Sequence, residues 1–462
     1  MQGENDIARL SNKPIFINKN DSYQNIKKGI WIYFILIVFE GALRKWVLPG
    51  LATPLLLIRD PVAIWLIIAA WKKGVFIFNT YVIIIFIIGI VGLFTAVFLG
   101  HGNALVAIYG VRTLVLHFPL IFVIGNVFNR EDVLKIGRCM VWLTIPMTVL
   151  LVLQFYSPQG AWVNRGIGGD TEGGGFAGAL GFFRPPATFS FTNGTALFYS
   201  LAACFIFYFW LVPQVQIKKS ILICASIALL MSIPLSISRT LFFSIIITLG
   251  FVVLATFVNR KSILRVMLVG ILVIGIFLVL SQTSTFHTAT EAFTSRFTGA
   301  SESEGGLQGT LQTRYAGGLL GAIINSDAIP FWGYGIGMGT NVGSVLLTGK
   351  TQFLVAEGEW GRLIGELGLL MGLTVIIIRL MVTGKIALAS FRNLLLGDFL
   401  PWIMLSYCLI TLPQAQWSQP TALGFSIFAA GITVAALRLS KNTDDVNNQV
   451  NTSRNSIQQP SK

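Results

Sequence analysis

Charged residues are scarce in this sequence. Asp, Glu, Lys and Arg together make up 11% of its 462 residues, against roughly a quarter in ordinary soluble domains. Hydrophobic residues make up 54%, which is more apolar surface than a soluble globule of this size needs. Acidic residues are scarcer than basic ones, so the net charge is +14. The basic residues lie mostly in short connectors between apolar runs, which indicates membrane topology and argues against a dense nucleic-acid-binding patch.

Histidine and cysteine are also few. None of the three histidines (His101, His117 and His287) has a second histidine or a carboxylate at metal-ligand spacing, so we expect neither a metal nor another cofactor. His287 lies in a polar stretch where it could face a substrate, although most loop histidines have no such role. The four cysteines lie inside or at the edge of apolar runs, which favours inert thiols: Cys139, Cys204, Cys224 and Cys408.

Long apolar runs follow one another along the chain. A transmembrane helix needs about 20 mostly apolar residues to cross the hydrocarbon core of a bilayer. Twelve such runs lie near 30–47, 55–71, 81–99, 104–128, 136–157, 194–212, 220–236, 239–258, 264–281, 357–382, 399–413 and 421–438. We therefore predict an all-α, polytopic integral membrane protein with about twelve transmembrane helices. The polar N-terminus lacks the order of a cleavable signal peptide, so we expect the first run to remain as an anchor.

Basic clusters occupy every second connector, which predicts an even number of spans with both termini in the cytoplasm. Arg44 and Lys45, at the outer end of the first run, are the exception. The same rule places the two long connectors outside the cytoplasm. The predicted organisation is a cytoplasmic segment 1–29, helices one to five in 30–157, a long extracytoplasmic loop 158–193, helices six to nine in 194–282, a second long extracytoplasmic loop 283–356, helices ten to twelve in 357–439 and a disordered cytoplasmic tail 440–462.

Three arginines lie at the predicted outer boundary of the membrane: Arg184, Arg239 and Arg314. A guanidinium keeps its charge in any protein environment and binds phosphate oxygens through a planar fork of donors. Together the three could hold a diphosphate at the bilayer surface. Each one alone could equally snorkel to the interface or pair with a carboxylate. Arg239 is the most informative, because an unpaired charge in so short a connector between apolar runs is expensive.

Acidic residues cluster where the second long connector re-enters the membrane, in AEGEWGRLIGELG. Glu357 and Glu359 flank a glycine at this mouth, where burial and nearby arginines can tune a carboxylate as a general base. Glu366 lies four residues after Arg362, a helical spacing that favours a structural ion pair.

Other patterns remain open. The string FWGYGIGMGTN lacks the Lys-Ser/Thr of a nucleotide loop. It is either a tight turn whose amides approach an anionic or glycan ligand, or a flexible connector. The run GIGGDTEGGGFAGALG is more typical of a flexible loop. Three further charged residues lie in or beside apolar runs: Arg59, Asp60 and Arg112. They either form ion pairs within the membrane or line a polar cavity.

The order of these motifs resembles the O-antigen polymerase and ligase superfamily of bacterial membrane glycosyltransferases, over roughly residues 80–440. The resemblance rests on FRPPATFSFTNGTALF after a long outer loop, SISRT in a tight turn, TRYAGGLLGAI followed by FWGYGIGMGTN, and EWGRLIGELGLLMG at the next helix. FEGALRKWVLP and LLIRDP near the N-terminus resemble a subgroup associated with exopolysaccharide or capsule synthesis. Members of the superfamily transfer glycans from a polyprenyl diphosphate to a hydroxyl outside the cytoplasmic membrane, without a nucleotide sugar or an obligatory metal.

The resemblance also implies roles for matching residues. Ligases of the superfamily place a His-Asn pair nine residues before the glutamate that corresponds to Glu366, whereas this chain has Glu357 and Gly358 there. The absence of that histidine favours a polymerase-like member. The implied catalytic residues are Arg184, Arg314, Glu357 and Glu359, and the implied substrate-binding residues are Arg239, Asn193, Gly335, Gly337 and Arg362.

The implied activity is polymerisation of polyprenyl-diphosphate-linked repeat units into an O-antigen, capsule or exopolysaccharide, at the extracytoplasmic face of the bacterial inner membrane. The expected partners are the lipid-linked glycan, membrane lipid, a chain-length-determining protein and a flippase, and not nucleic acid. A ligase that transfers a lipid-linked glycan to lipid A-core or protein is the alternative within the superfamily. A lipid-linked oligosaccharide flippase or secondary transporter is the alternative outside it, although the long outer loops argue against one.

Overall fold

The structure is a computed structural model that describes residues 23–76, 78–213, 215, 217–258, 270, 275, 282–304, 317–324, 329–350 and 352–438. Arg314, most of the predicted ninth span, the first 22 residues and the tail 440–462 therefore lie outside the described residues. The protein is mostly helical, with 75% helix and 2% strand.

The α-helices are numbered in chain order over the described residues. They are α1 Gln24–Ala42, α2 Ala52–Leu55, α3 Arg59–Lys72, α4 Thr80–Phe98, α5 Ala104–Val111, α6 Leu120–Val127, α7 Arg130–Tyr156, α8 Thr192–Leu211, α9 Lys219–Leu235, α10 Arg239–Val258, α11 Ser284–Glu304, α12 Gly317–Ile324, α13 Asn341–Thr348, α14 Glu359–Leu395, α15 Leu400–Gln414 and α16 Pro420–Ala436. Two π-helical turns, Leu43–Val47 and Arg112–Leu116, continue α1 and α5. The strands are β1 Phe176–Ala179 and β2 Phe182–Arg184.

Seven helical stretches of the described chain are long and apolar enough to cross a membrane. They are Pro49–Lys72, Thr80–Phe98, Ala104–Val127, Arg130–Tyr156, Thr192–Leu211, Arg239–Val258 and Glu359–Leu395. Three shorter apolar helices, α9, α15 and α16, lie at other predicted spans. The seven longer stretches have the length and composition of membrane-spanning helices, and described helices lie at each predicted apolar run except the ninth. The count of twelve spans and their orientation remain predictions.

The helices pack around α8, which is buried on nearly all sides and contacts α7, α9, α10, α15 and α16. Small residues bring two of the surrounding helices together. A Cβ on Gly125 of α6 would lie 2.5 Å from Val434 Cγ1, and one on Gly431 of α16 would lie 2.7 Å from Ile124 Cβ. Such close contacts drive helix association in a bilayer, where apolar burial alone does not.

The two long connectors contain regular structure that the sequence did not predict. In the first, β1 and β2 form an antiparallel hairpin whose turn, Leu180 and Gly181, has φ of 53° and 80°. Two positive φ values are typical of a type I′ turn, which matches the twist of the paired strands. The prediction of a flexible loop was therefore wrong for this part of the glycine-rich run. In the second, α11, α12 and α13 occupy stretches predicted as loop.

Candidate functional site

The segment after β2 enters the helical bundle without being helical. Ala187, Thr188, Phe189 and Ser190 are all buried. A Cβ on Gly41 of α1 would lie 2.4 Å from the backbone nitrogen of Ser190, so the segment packs directly on the α1 backbone. Irregular backbone inside a membrane protein is tolerated where protein surrounds it, because its polar groups need partners there.

Side chains of the bundle supply those partners. Lys45 Nζ donates to the carbonyl oxygen of Ala187 at 2.5 Å, and the Ala187 amide donates to Gln154 Oε1 at 2.7 Å. Arg44 donates to Ser190 Oγ at 3.0 Å, and Thr188 Oγ1 donates to the Val38 carbonyl at 2.7 Å. Arg44 and Lys45 were the exception to the predicted charge alternation. Because both are buried and hold this segment, they serve packing and do not report topology.

The hairpin fixes the residue that precedes this segment, Arg184 at the end of β2. Phe182 stacks on Phe155 of α7, with ring centroids 4.6 Å apart. Arg296 of α11 donates to the carbonyl oxygens of Ala177 and Gly178 at 3.0 and 3.3 Å. Three elements, α7, α11 and the hairpin itself, therefore hold Arg184 in place.

Arg184 is a half-buried cation without a partner in the part of the chain that the structure describes. Among the described residues its guanidinium makes no hydrogen bond or ion pair, and its buried Nε atom is unsatisfied. Burial, with the nearby charges of Arg296 and Arg239, lowers the pKa of Arg184 to about 10. It therefore stays protonated at neutral pH, in a position where burial and like charges make a positive charge unfavourable.

The turn between α9 and α10 places Arg239 in the same cluster. Ile237 is fully buried with φ of 45°, which is strained for a β-branched residue. A Cβ on Gly178 would lie 2.7 Å from Ile237 Cδ1, so the hairpin rests on this turn. Arg239 is the first residue of α10, and the positive end of the helix dipole adds to the potential of the arginines.

The structure thus brings Arg184 and Arg239 together, as predicted, with Arg296 as the third cation. Arg314, the predicted third member, lies outside the described residues. Arg296 was not predicted as a site residue, because TSRFTG lies in a polar stretch that is typical of a loop. The available signal was the i, i+4 helical spacing of Phe293 and Phe297 around Arg296, since both rings pack on Phe242 of α10.

Asn193 belongs to a chain of amides that leads to Glu357. Its side-chain NH₂ donates to Gln419, and Gln419 donates to Gln416. Gln416 donates in turn to the backbone carbonyl of Glu357. The Glu357 side chain is exposed, while Asn193 Oδ1 is buried and has no partner among the described residues. Asn193 therefore positions the backbone at Glu357 and keeps one free acceptor.

Glu359 and Arg362 lie in a buried ion-pair network instead of at an open mouth. Glu359 accepts from Arg362 Nε at 2.9 Å and from Arg379 at 2.8 Å. Arg362 also pairs with Glu366 at 2.6 Å, as its spacing predicted. Arg379 stacks on Trp417, with 3.4 Å between the guanidinium carbon and the ring centroid. Because both oxygens of Glu359 are occupied and it is 4% exposed, this geometry departs from the predicted role as base and favours a structural one.

The predicted glycine site is also occupied by the protein itself. Helix α14 breaks at Gly368, with φ of 76° and ψ of 168°. The break frees the carbonyls of Gly365 and Glu366, which accept from the amides of Tyr334 and Gly335 at 2.8 and 3.1 Å. The amide of Gly335 is therefore unavailable to a substrate.

Gly337 serves close packing in the same way. A Cβ there would lie 2.1 Å from the Val106 carbonyl oxygen, and one on Gly335 would lie 2.7 Å from His101 Cδ2. Both glycines have positive φ, of 112° at 335 and 94° at 337. The segment is a tight turn between α14 and α5 in which Gly335 and Gly337 serve close packing, and their predicted substrate contacts remain predictions.

A second buried polar cluster lies among α1, α3 and the π-helical turn after α5. Asp60 accepts from both Nε and NH2 of Arg112, the latter at 2.9 Å, and lies 3.1 Å from His117 Nε2. Arg59 donates to Glu40 at 2.9 Å, while its two terminal nitrogens have no partner among the described residues. Of the two alternatives for Arg59, Asp60 and Arg112, the geometry thus favours intramembrane pairs.

No family model matches the chain, and no curated protein matches it either. Within the described residues, no group of three or more His, Cys, Asp or Glu side chains could hold a metal ion. A functional proposal for this chain therefore depends on the geometry of Arg184, Arg239 and Arg296 and of the hairpin that holds Arg184.

Proposed function

We propose that this protein polymerises polyprenyl-diphosphate-linked oligosaccharide repeat units into a surface polysaccharide, at the extracytoplasmic face of the bacterial inner membrane. The observation that carries the proposal is the cluster of Arg184, Arg239 and Arg296. In it, Arg184 is half-buried, repelled by like charges and without a partner among the described residues. A diphosphate supplies the missing counter-charge.

The reaction follows from that placement. The hydroxyl oxygen of the acceptor sugar attacks the anomeric carbon of the donor, and the bond from that carbon to the diphosphate breaks. The polyprenyl diphosphate leaves with the electron pair, and the arginines stabilise its charge without reorganising. The acceptor proton passes to Glu357, whose exposed carboxylate is the one left available in AEGEWGRLIGELG. Arg314, in the motif TRYAGGLLGAI, remains a further candidate for binding the diphosphate, as the family resemblance implies.

Elongation in a purified system tests this proposal. The full chain in lipid nanodiscs would receive lipid-linked repeat units extracted from a strain deleted for this gene, which should accumulate them. A ladder of longer lipid-linked products is the expected result, and it should disappear with Arg184→Gln. If products appear only when lipid A-core or an acceptor protein is added, the protein is a ligase and not a polymerase.

One observation favours a second candidate, a transporter for lipid-linked oligosaccharides or another solute. The cluster of Asp60, Arg112, His117 and Arg59 is buried within helices, and ionisable groups inside a membrane commonly mark transport pathways. Proteoliposomes separate the candidates. A transporter would move a fluorescent lipid-linked oligosaccharide between leaflets without lengthening it, whereas the polymerase would lengthen it.

A further inference from the structure

Helix α11 has an unusual exposed face. His287, Thr290, Glu291, Thr294, Ser295 and Thr298 follow one another at helical spacing and line an open groove. Solvent-facing helix positions commonly carry Lys, Glu or Arg, which are better helix formers than threonine. Here the face carries uncharged hydroxyls, broken only by one imidazole and one carboxylate.

The hydroxyls on this face are oriented alike. Thr290 donates to the Phe286 carbonyl at 2.7 Å, and Thr294 donates to the Thr290 carbonyl at 2.8 Å. Thr298 donates to the Thr294 carbonyl at 3.2 Å. The hydroxyl hydrogens of these three threonines are thus used within the helix, which leaves their oxygen lone pairs as acceptors. The face forms a row of acceptors, which suits a ligand rich in hydroxyl donors.

His287 and Glu291 add a polar pair at one end of the row. His287 Nδ1 lies 3.5 Å from Glu291 Oε1, and both side chains are largely exposed. A carboxylate accepts two hydrogen bonds from neighbouring hydroxyls in one plane. Vicinal sugar hydroxyls match that arrangement.

The hairpin joins this groove to the arginine cluster. Leu180, at the hairpin turn, is 62% exposed and forms the wall of the groove opposite the threonines. Arg184 lies at the far end of β2, a three-residue strand that begins directly after the turn formed by Leu180 and Gly181, so the path from Leu180 to Arg184 is shorter than that of a fully extended chain. Four residues span at most about 13 Å, a separation that a short oligosaccharide covers. Arg296 ties α11 to the same hairpin through Ala177 and Gly178.

We propose that the groove between α11 and Leu180 binds uncharged sugar residues of the glycan while Arg184 holds its diphosphate. The proposal rests on the proposed function for the identity of the glycan, but the groove and the cluster can be tested separately. In this arrangement the groove sets which repeat unit is accepted, and the arginines recognise only the diphosphate that all such donors share.

The test uses the full chain in nanodiscs with two probes. An array of uncharged oligosaccharides reports on the groove, and farnesyl diphosphate in solution reports on the arginine cluster. The groove variants are Thr290→Val with Thr294→Val, and separately Glu291→Gln. Valine keeps the β-branched shape and removes the hydroxyl. Thr288→Val is the matched control, because Thr288 makes the same backbone bond, to the Ser284 carbonyl, but does not line the groove.

We expect the wild-type chain to bind at least one class of uncharged oligosaccharide. The Thr290/Thr294 double variant and Glu291→Gln should each bind it at least tenfold more weakly, and Thr288→Val within twofold of wild type. All three should keep farnesyl diphosphate binding and the wild-type melting temperature, which shows that they fold. Arg184→Gln should show the opposite pattern.

The outcomes separate the two proposals. Two results would overturn the proposal that the groove binds sugars. One is absence of oligosaccharide binding by the wild-type chain, and the other is an equal loss of binding in the groove variants and in Thr288→Val. Groove-dependent sugar binding without any farnesyl diphosphate binding would support the groove as a glycan site and count against the proposed function.

Discussion

Lys45 and Ala187 are joined by a 2.5 Å hydrogen bond from the Lys45 ammonium to the Ala187 carbonyl oxygen. The two residues are 142 positions apart in the chain, and Ala187 follows Arg184 by three. The π-helical turn that continues the first helix therefore holds the segment directly after Arg184, whose guanidinium has no partner among the described residues. The motif EGALRK matters to the candidate site because it positions the backbone after Arg184, without contacting the site itself.

The contact between Gly41 and Ser190 gives the sharpest test of this coupling. Gly41→Ala places a methyl group about where the Ser190 backbone nitrogen lies, so either helix α1 or the segment must move. We expect a loss of about 1–3 kcal/mol of stability, typical of overpacking, and at least a tenfold loss of polymer. Gly50→Ala is the control, since nothing lies within 4 Å of a Cβ there. Thermal unfolding and polymer assays on both variants make the measurement, and equal behaviour would contradict the coupling.

Arg184→Gln should separate stability from activity. Burial and two like charges lower the pKa of Arg184, so its positive charge opposes folding at every pH below that value. The variant should therefore unfold at the same or a higher temperature than wild type. Activity should fall by about 10²–10³, as when a preorganised donor is removed from a charge-stabilising site. Arg165→Gln, in the same connector, should keep activity because Arg165 does not perturb Arg184. A large drop in the melting temperature of Arg184→Gln would indicate a structural role.

The pH dependence of diphosphate binding follows from the same pKa. Arg184 remains protonated up to about pH 10, so binding of farnesyl diphosphate should stay constant from about pH 8, where the ligand is fully ionised, up to that pH and weaken above it. A lysine starts from a pKa about two units lower than that of arginine, and the same surroundings lower it further. Binding by Arg184→Lys should therefore weaken at a distinctly lower pH than binding by wild type. Identical pH profiles for the two proteins would show that this residue does not contact the diphosphate.

Parts of this arrangement were readable from the sequence, and others were not. The apolar runs placed the helices, because a bilayer demands long apolar stretches whatever their partners. The i,i+4 spacing predicted the ion pair of Arg362 and Glu366, because residues four apart on a helix are neighbours whatever the tertiary structure. The partners of Lys45 lie far along the chain, and only the folded structure shows that its charge faces the backbone of 187–190 and not solvent.

The candidate site shows the same limit. Arg184 and Arg239 were predicted as neighbours from their position at the membrane boundary. Arg296 was missed because its helix, α11, is rich in threonine and has no apolar run to mark it. Gly335 was misread because its amide is taken by a carbonyl that becomes free only where α14 breaks at Gly368. Such a break is a tertiary feature, so the spacing of glycines alone did not reveal it.

Glu359→Gln should unfold the protein more readily, in contrast to Arg184→Gln. Glu359 is the shared partner of Arg362 and Arg379, and the substitution leaves two buried guanidiniums with one carboxylate fewer. Removing one partner of a buried ion pair typically costs about 3–5 kcal/mol. Glu357→Gln is the control for stability because that side chain is exposed. A melting temperature for Glu359→Gln within one or two degrees of wild type would restore Glu359 as a candidate base.

Glu357→Gln should slow the chemical step without weakening donor binding. Amide chains from Gln416 hold the backbone of Glu357, so a change of its side chain leaves that contact intact. If Glu357 accepts the proton of the acceptor hydroxyl, its loss should lower the rate by about 10²–10⁴. Glu357→His should recover part of that rate, because an imidazole is also a general base and its free form rises with pH near neutrality. Single-turnover elongation from pH 6 to 9 tests this. A rate for Glu357→Gln close to that of wild type, or no recovery with histidine at any pH, would assign the proton to another group.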